Sequence, residues 1–417
     1  MLASGSANFT TFAGLATALG RITGMVAATM IMVQLLLASR APFVERVVGH
    51  DRALHTHGRL GRIGFVVLLV HAAAITIGYA GTRGSGILDE AVTLTLRFGG
   101  PMTAAVGGFA LLCIVIVTSL ALVRSRWRYE NWHAVHLLSY AAIVLTIPHQ
   151  FVNGSTFARS APAWWYWATL WLVTVGVFVL FRAVRPLWQL ARYDLRVASV
   201  KRIEGGSAVV VIKGRRLRTL DPLPGQFFLF RFLTRELWDE AHPYSLSRSR
   251  NGDFIRITVK PLGDHSAAVA QLPVGTKVAV EGPLGIFHDR TRTGRHLVLA
   301  GSGIGVTPIL AMLESSEFGP GECTVIIRAH SEADAPHLDE FARFARARGA
   351  NLVVLLGPRG VGWAPKDQSV RLRGLVPAIA HADIFACGPE AWVAALAADA
   401  EASGVPAHAF HAEKFAW

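Results

Sequence analysis

Residues 57–71 read HGRLGRIGFVVLLVH, and residues 136–149 read HLLSYAAIVLTIPH. Each is an apolar run bracketed by histidine. At a helical rise of about 1.5 Å per residue, the two imidazoles of each run stand roughly 20 Å apart along the axis. That span fits inside a bilayer core of about 30 Å. Ionisable groups are costly at that depth, so their presence there points to chemistry rather than packing.

Five apolar stretches are long enough to cross a bilayer, near residues 15–38, 59–80, 102–123, 133–152 and 164–184. The connections divide by charge. Arg40, Arg46 and Arg52 follow the first stretch, Arg124, Arg126 and Arg128 follow the third, and Arg182, Arg185, Arg192 and Arg196 follow the fifth. The opposite connections hold Arg83, Arg97 and Arg159, offset by Asp89 and Glu90. The excess of arginine places the first set in the cytoplasm, with the C-terminal region on the same side of a cell inner (plasma) membrane. The aromatic cluster Trp164, Trp165, Tyr166 and Trp167 suits the outer interface. Both histidine runs then travel outward, because one complete span separates them. His57 lies level with His136 near the cytoplasm, and His71 lies level with His149 near the outer face. Two levels of paired imidazoles predict two bis-histidine haems stacked across the membrane. The phasing is unequal. Fourteen residues return His71 to within about 40° of the face of His57, whereas thirteen leave His149 well off the face of His136. Pro148 is the expected place for a compensating break. His50, His55 and His133 rank below the four, because they lie outside the apolar runs or lack a partner at this spacing.

The rest of the composition agrees with a membrane segment followed by a soluble one. The 417 residues are 52% hydrophobic and 17% charged, and the apolar excess lies in the first 185 residues or so. The net charge of +13 does not signal nucleic acid, because the basic residues flank apolar segments and are not one patch interleaved with aromatics. Three cysteines, Cys113, Cys323 and Cys387, form no CxxC pair. They argue against a disulfide framework, and they are too few for a four-thiolate [2Fe–2S] centre. The N-terminus lacks the basic region and cleavage site of a secretory signal, so the first apolar stretch reads as a retained helix.

Paired histidines 13 and 14 residues apart, with the flanks LHTHGRLG and YENWHAVH, resemble the ferric reductase and NADPH oxidase superfamily. The resemblance implies His57, His71, His136 and His149 as ligands of two b-type haems. It also implies Arg21 beside the outer haem and its acceptor. The superfamily's oxidases carry a histidine one turn beyond the outer ligand, where this chain has Ile75. The usual oxidase layout has six spans, and this chain shows five.

From about residue 192 the pattern changes to short β-type runs such as SAVVVIKG, QFFLFRFL and DFIRITVK, which predict a small antiparallel β-barrel. Within it lie PGQF (224–227), HPYSLS (242–247), VKPLGDHS (259–266) and EGPLGIF (281–287). Their order resembles the flavin domain of ferredoxin reductases. By that resemblance Tyr244 packs on the flavin ring, Ser245 hydrogen-bonds near its reactive nitrogen, and His242 with Pro243 stands where an arginine often meets the phosphates. Lys260, Gly263, Asp264, His265 and Ser266 would follow the pyrophosphate. The last third alternates strands and helices. HLVLAGSGIGVTPILAML is a strand, a glycine turn and a helix start, so Gly301, Gly303 and Gly305 let backbone approach a phosphate, with Thr307 and Pro308 opening the helix. FACGPE resembles the reductases' CGP motif and would put Cys387, Gly388 and Pro389 by the nicotinamide. Arg328 and Arg359 are candidates for the 2′-phosphate of NADPH, and Trp417 or Phe415 for a terminal aromatic over the flavin.

The expected architecture is a multi-domain chain. A transmembrane haem bundle occupies residues 1–188, an FAD-binding β-barrel 189–291 and a Rossmann-like α/β NAD(P) domain 292–417. The resemblance implies electron transfer from cytoplasmic NADPH or NADH through FAD and the haems to an acceptor outside. Oxygen, a ferric chelate and a periplasmic partner protein or quinone remain open as that acceptor.

Overall fold

The computed structural model describes residues 9–96, 99–127, 129–152, 162–248 and 254–415. Arg97, Arg128, Arg159 and Trp417 lie outside the described residues, as does the side chain of Phe415. The chain divides into two compact units, residues 1–183 and 184–417.

The first unit is helical: α1 (Phe12–Ala38), α2 (Pro42–Val48), α3 (His50–Arg83), α4 (Ile87–Leu96), α5 (Gly100–Ser119), α6 (Ala121–Arg124), α7 (Tyr129–His136), α8 (Leu138–Val152) and α9 (Pro162–Val179). Five helical stretches among the described residues are long and apolar enough to span a bilayer: Phe12–Ala38, Arg52–Arg83, Gly100–Ser119, Asn131–Val152 and Pro162–Tyr193. Each overlaps one of the five apolar runs of the sequence, three of them to within about four residues, while Arg52–Arg83 begins seven residues earlier and Pro162–Tyr193 ends nine residues later than expected.

In a bilayer, close packing replaces the hydrophobic effect as the force between helices, and small residues let backbones approach. Helices α1 and α3 use this along their length. A Cβ on Gly24 would fall 2.7 Å from the ring of His71, one on Gly20 would fall 2.6 Å from Ile75 Cγ1, and one on Gly78 would strike Thr17. Helices α5 and α8 meet in the same way, with Gly108 against the Ala142 carbonyl.

The helix carrying His136 and His149 is interrupted, at a place the sequence did not indicate. Pro148 lies inside α8 without ending it. The interruption is at Leu137, between α7 and α8, where the Tyr140 N–H donates to the Leu137 carbonyl only three residues back (3.1 Å). The change of phase demanded by the thirteen-residue spacing therefore comes beside His136.

The second unit begins with α10 (Arg185–Tyr193) and holds two sheets. Strands β1 (Leu195–Arg202), β2 (Ala208–Lys213), β3 (Phe227–Phe232), β4 (His242–Ser245), β5 (Ile255–Val259) and β6 (Lys277–Leu284) form a six-stranded antiparallel sheet in the order β4-β3-β6-β1-β2-β5. An antiparallel bridge from Leu246 to Ile257 connects the end of β4 to β5. Inward residues of β2 and β3, among them Val210, Ile212, Phe228 and Phe230, fill its core. The short helix α11 (Asp264–Val269) follows β5.

The second sheet contains β7 (His296–Ser302), β8 (Cys323–Ala329), β9 (Asn351–Leu356), β10 (Ala382–Pro389) and β11 (Phe410–Phe415), all parallel, in the order β11-β10-β7-β8-β9. Helices α12 (Val306–Ser315), α13 (Leu338–Arg348), α14 (Leu372–Leu375) and α15 (Glu390–Ala402) accompany it. Strand β8 is buried at every position, as a parallel strand covered on both faces should be. The order is that of a Rossmann half, and it reverses between β7 and β10. A crevice at the carboxyl ends of those two strands is where such sheets bind ligands.

Candidate functional site

The four membrane histidines fall in two sets: His57 meets His136, and His71 shares a cavity with His149. The rings of His57 and His136 lie 6.3 Å apart between centroids, inclined at 62°. An iron–imidazole bond of about 2 Å on each side gives close to this separation, so the pair fits a six-coordinate haem iron. His71 and His149 line one cavity of about 560 Å³, shared by Arg21, Ile75, Gln150 and apolar residues of α1, α3, α4, α5 and α8.

The groups behind the rings determine which nitrogen is available. His71 Nδ1 is 2.6 Å from the Gly20 carbonyl, which only accepts, so Nδ1 carries the proton and Nε2 keeps its lone pair. His57 Nδ1 faces the Gln34 carbonyl at 3.4 Å in the same sense. His136 Nδ1 is 3.4 Å from Ser119 Oγ. That hydroxyl already donates to the Val115 carbonyl (2.7 Å) and accepts from Trp132 Nε1 (3.2 Å), so it faces His136 as an acceptor. Ligating histidines are oriented by this kind of outer support. His149 differs: its Nδ1 is buried without a hydrogen bond of normal geometry, and the Thr146 carbonyl one turn earlier is the group beside it. Its neighbour Gln150 accepts from both Trp167 (2.9 Å) and Trp171 (3.1 Å), which ties α8 to α9 next to the ligand.

Sequence reading missed Gly20, Gly24, Ser119 and Gln150. The Gly20–Gly24 spacing, a small residue on each of two successive turns, was the available signal. Ser119 and Gln150 carried none.

In the antiparallel sheet, strand β4 brings Tyr244 and Ser245 together with His242. Tyr244 is largely buried against Phe230, with ring centroids 6.1 Å apart. Burial first, and then Glu240, push its phenol well above the usual range, so it is a neutral wall and donor. Ser245 Oγ is buried without a hydrogen-bond partner. An unmet buried hydroxyl is costly unless a ligand completes it, and a flavin ring nitrogen on Tyr244 fits that need. His242 and His265 stack at 3.5 Å, and His242 Nε2 is 2.8 Å from Glu240. His265 Nδ1 lies 3.2 Å from the same carboxylate, without hydrogen-bond geometry. Burial and His242 lower its basicity more than Glu240 and Asp239 raise it.

Other expected flavin contacts are already engaged. Lys260 faces Asp334 at 3.7 Å. Ser266 Oγ accepts from the Leu262 and Gly263 amides and donates to the Gly263 carbonyl, which closes the turn into α11. Asp264 and Gly263 are exposed on that turn.

At the crevice between β7 and β10 two loops interlock. A Cβ on Gly305 would strike the Cys387 carbonyl, and one on Gly388 would fall 3.0 Å from Ser302 Cβ. Gly303 takes a φ of +57°, a left-handed conformation suited to glycine. Gly301 packs against Val306 at the start of α12. Three of the expected site residues, Thr307, Pro308 and Cys387, are buried here. Thr307 and Pro308 are buried, and the Thr307 hydroxyl donates to the Ile304 carbonyl (3.0 Å), so they shape the turn and do not reach outward to a phosphate. Cys387 is fully buried in the core beneath the turn. Burial, and then Glu413, push its thiol far up, so it stays protonated beneath the turn. Pro389 ends β10 and precedes α15. Arg328 is buried, its guanidinium donating to the Ala329 and Pro358 carbonyls, while Arg359 is exposed on the loop after β9.

Residues 23–147 match the family of ferric reductase like transmembrane components. Curated relatives match over about half of the chain. They include the toluate 1,2-dioxygenase electron transfer component of Pseudomonas putida (27% identical, 55% of this chain and 69% of that protein). A flavohemoprotein of Oceanobacillus iheyensis is 28% identical over 46% of this chain and 51% of its own length. The two halves together resemble the ferric reductase and NADPH oxidase superfamily. One such oxidase, a superoxide-generating NADPH oxidase heavy chain of Dictyostelium discoideum, is 24% identical over 50% of this chain and 31% of its own length. Among solved structures, the FAD/NAD binding domain of nitric oxide dioxygenase from Vibrio cholerae aligns with 53% of the chain and 98% of that domain, at 23% identity and a TM-score of 0.46. The chain thus spans only part of its curated relatives, about half of the flavohemoprotein and under a third of the oxidase. It joins a helical unit that resembles ferric reductase like transmembrane components to a unit that resembles electron-transfer reductases of ferredoxin-reductase type.

Proposed function

We propose that the chain carries electrons across a cell membrane, from NAD(P)H through FAD and two b-type haems to a small acceptor on the far side. The meeting of His57 with His136 at 6.3 Å carries this reading, because nothing in helix packing alone requires two imidazoles at iron-ligand distance inside a bilayer. When bound, the flavin takes hydride and releases single electrons, and the haems pass them through a layer that excludes ions. The chain's own residues do the rest. Tyr244 and Ser245 hold the ring of the flavin and the unmet hydroxyl of Ser245 meets its nitrogen. The interlocked glycine turns admit the nicotinamide phosphates at the β7–β10 crevice. Gly20, Gln34 and Ser119 hold protons on Nδ1 of His71, His57 and His136, which leaves each Nε2 lone pair available to the haem iron these residues would hold.

By the arginine distribution, His57 and His136 form the inner level and His71 and His149 the outer, with the second unit in the cytoplasm. Among the described residues, the outer cavity has Arg21 as its one charged lining residue and no carboxylate. That lining favours an anionic or neutral acceptor, such as a ferric chelate or oxygen. Ile75, which packs against Gly20, puts an apolar group where the oxidases have histidine, and so favours the chelate. Purified full-length protein with NADH or NADPH should reduce a ferric chelate rapidly, and cytochrome c reduction should resist superoxide dismutase. Rapid superoxide-dismutase-sensitive reduction would make it an oxidase. Fast flavin reduction with slow turnover of both acceptors would point to a periplasmic protein or quinone partner.

A further inference from the structure

Resting on the nicotinamide reading of the β7–β10 crevice, we infer that this crevice selects NADH over NADPH, with Glu332 as the discriminating side chain. In a Rossmann half, the adenosine ribose lies over the carboxyl end of the strand next to the glycine turn. Here that strand is β8, whose Arg328 sits beside Ser302 in the parallel register. The arginine at this place cannot meet a 2′-phosphate as it stands. It is 6% exposed, and its guanidinium is spent on the Ala329 and Pro358 carbonyls. Its burial also lowers its basicity.

Beyond His330 and Ser331, the turn that follows β8 carries two acidic residues. Glu332–Asp334 form one turn of 3-10 helix, entered through Ser331 in extended conformation. Asp334 is committed, since Ser331 Oγ donates to its Oδ2 (2.8 Å) and Lys260 faces its Oδ1 at 3.7 Å. Glu332 is exposed, and no hydrogen bond or ion pair engages its carboxylate among the described residues. A free carboxylate at this position accepts hydrogen bonds from the ribose hydroxyls of NADH and repels the 2′-phosphate of NADPH. Of the two arginines that could meet that phosphate, only Arg359, exposed on the loop after β9, is left to do so.

The test is stopped-flow reduction of the bound flavin in the full-length protein by each nucleotide. The wild type should favour NADH by at least about tenfold in kcat/KM, or about 1.4 kcal/mol. Glu332→Gln should cut that ratio several-fold, mainly by lowering KM for NADPH, and Arg359→Ala should leave it in place. A wild-type preference for NADPH, an unchanged ratio in Glu332→Gln, or loss of NADPH reduction alone in Arg359→Ala would each overturn the assignment. Failure of both nucleotides to reduce the flavin would instead defeat the reading of the crevice on which it rests.

Discussion

The two units build their sites from opposite materials. In the membrane unit the proposed site is made of side chains, four imidazoles and Arg21, in an apolar bundle where each polar group is an expense. Glycine there lets α1 approach α3 and α5 approach α8. In the second unit, the nucleotide crevice is made largely of backbone, and the residues that look chemical in sequence, Thr307 and Cys387, are buried supports. A bilayer strips out idle polar residues, so those that remain can be read directly. A water-exposed α/β crevice surrounds its few working groups with many polar ones that have ordinary roles.

If this contrast holds, single changes should separate the units. The largest effect is expected from His136→Ala, which should abolish acceptor reduction and remove one haem, while NAD(P)H still reduces the flavin in stopped flow. Loss of flavin reduction as well would show that the units do not divide the work this way. Gly24→Val should come next. Its side chain would collide with the His71 ring, so the second haem should be depleted and the His57–His136 haem retained, as read from the absorption spectrum and redox titration.

Ser245→Ala should retain FAD but slow hydride transfer on the order of tenfold to a hundredfold, the scale of one lost active-site hydrogen bond. Cys387→Ala, by contrast, should alter the rate little, because its thiol is buried below the turn. An equal loss in both would restore the cysteine to the chemistry.

The smallest effect concerns stability. Glu340 accepts from Arg256 (2.8 and 3.0 Å) and lies 2.9 Å from His337 Nδ1. Burial pushes its carboxyl up, but His337 and Arg256 outweigh that and hold it down at about 2. A depressed carboxylate stabilises the fold above its unfolded value, and that contribution fades as pH falls toward 2. Glu340→Gln should lower the melting temperature of the second unit at neutral pH and flatten its loss between pH 5 and 2, as followed by circular dichroism. An unchanged acid profile would remove Glu340 from that role.

Much of the bundle was legible in advance, because span length, arginine bias and histidine spacing follow from the bilayer itself. Two features of the site were not. The interruption at Leu137 sits in a run, HLLSYA, that contains no helix breaker, so tertiary packing sets it. The helix-breaking residue that was legible, Pro148, lies inside α8. The glycines behind His71 could be noticed, but which helix they faced could not. In the second unit the motif order gave the location of the crevice. Burial decided the roles within it, and a guanidinium turned back onto main-chain carbonyls, as at Arg328, leaves no trace in sequence.

The pairing of the four histidines is tested most directly by the haem-to-flavin ratio of the intact purified protein. It is read by pyridine haemochrome and released FAD, with low-spin spectra for the iron. Two b-type haems per FAD, both low-spin and bis-histidine, is the expected result. One haem per FAD, or a high-spin centre with an open position, would contradict the two-level assignment.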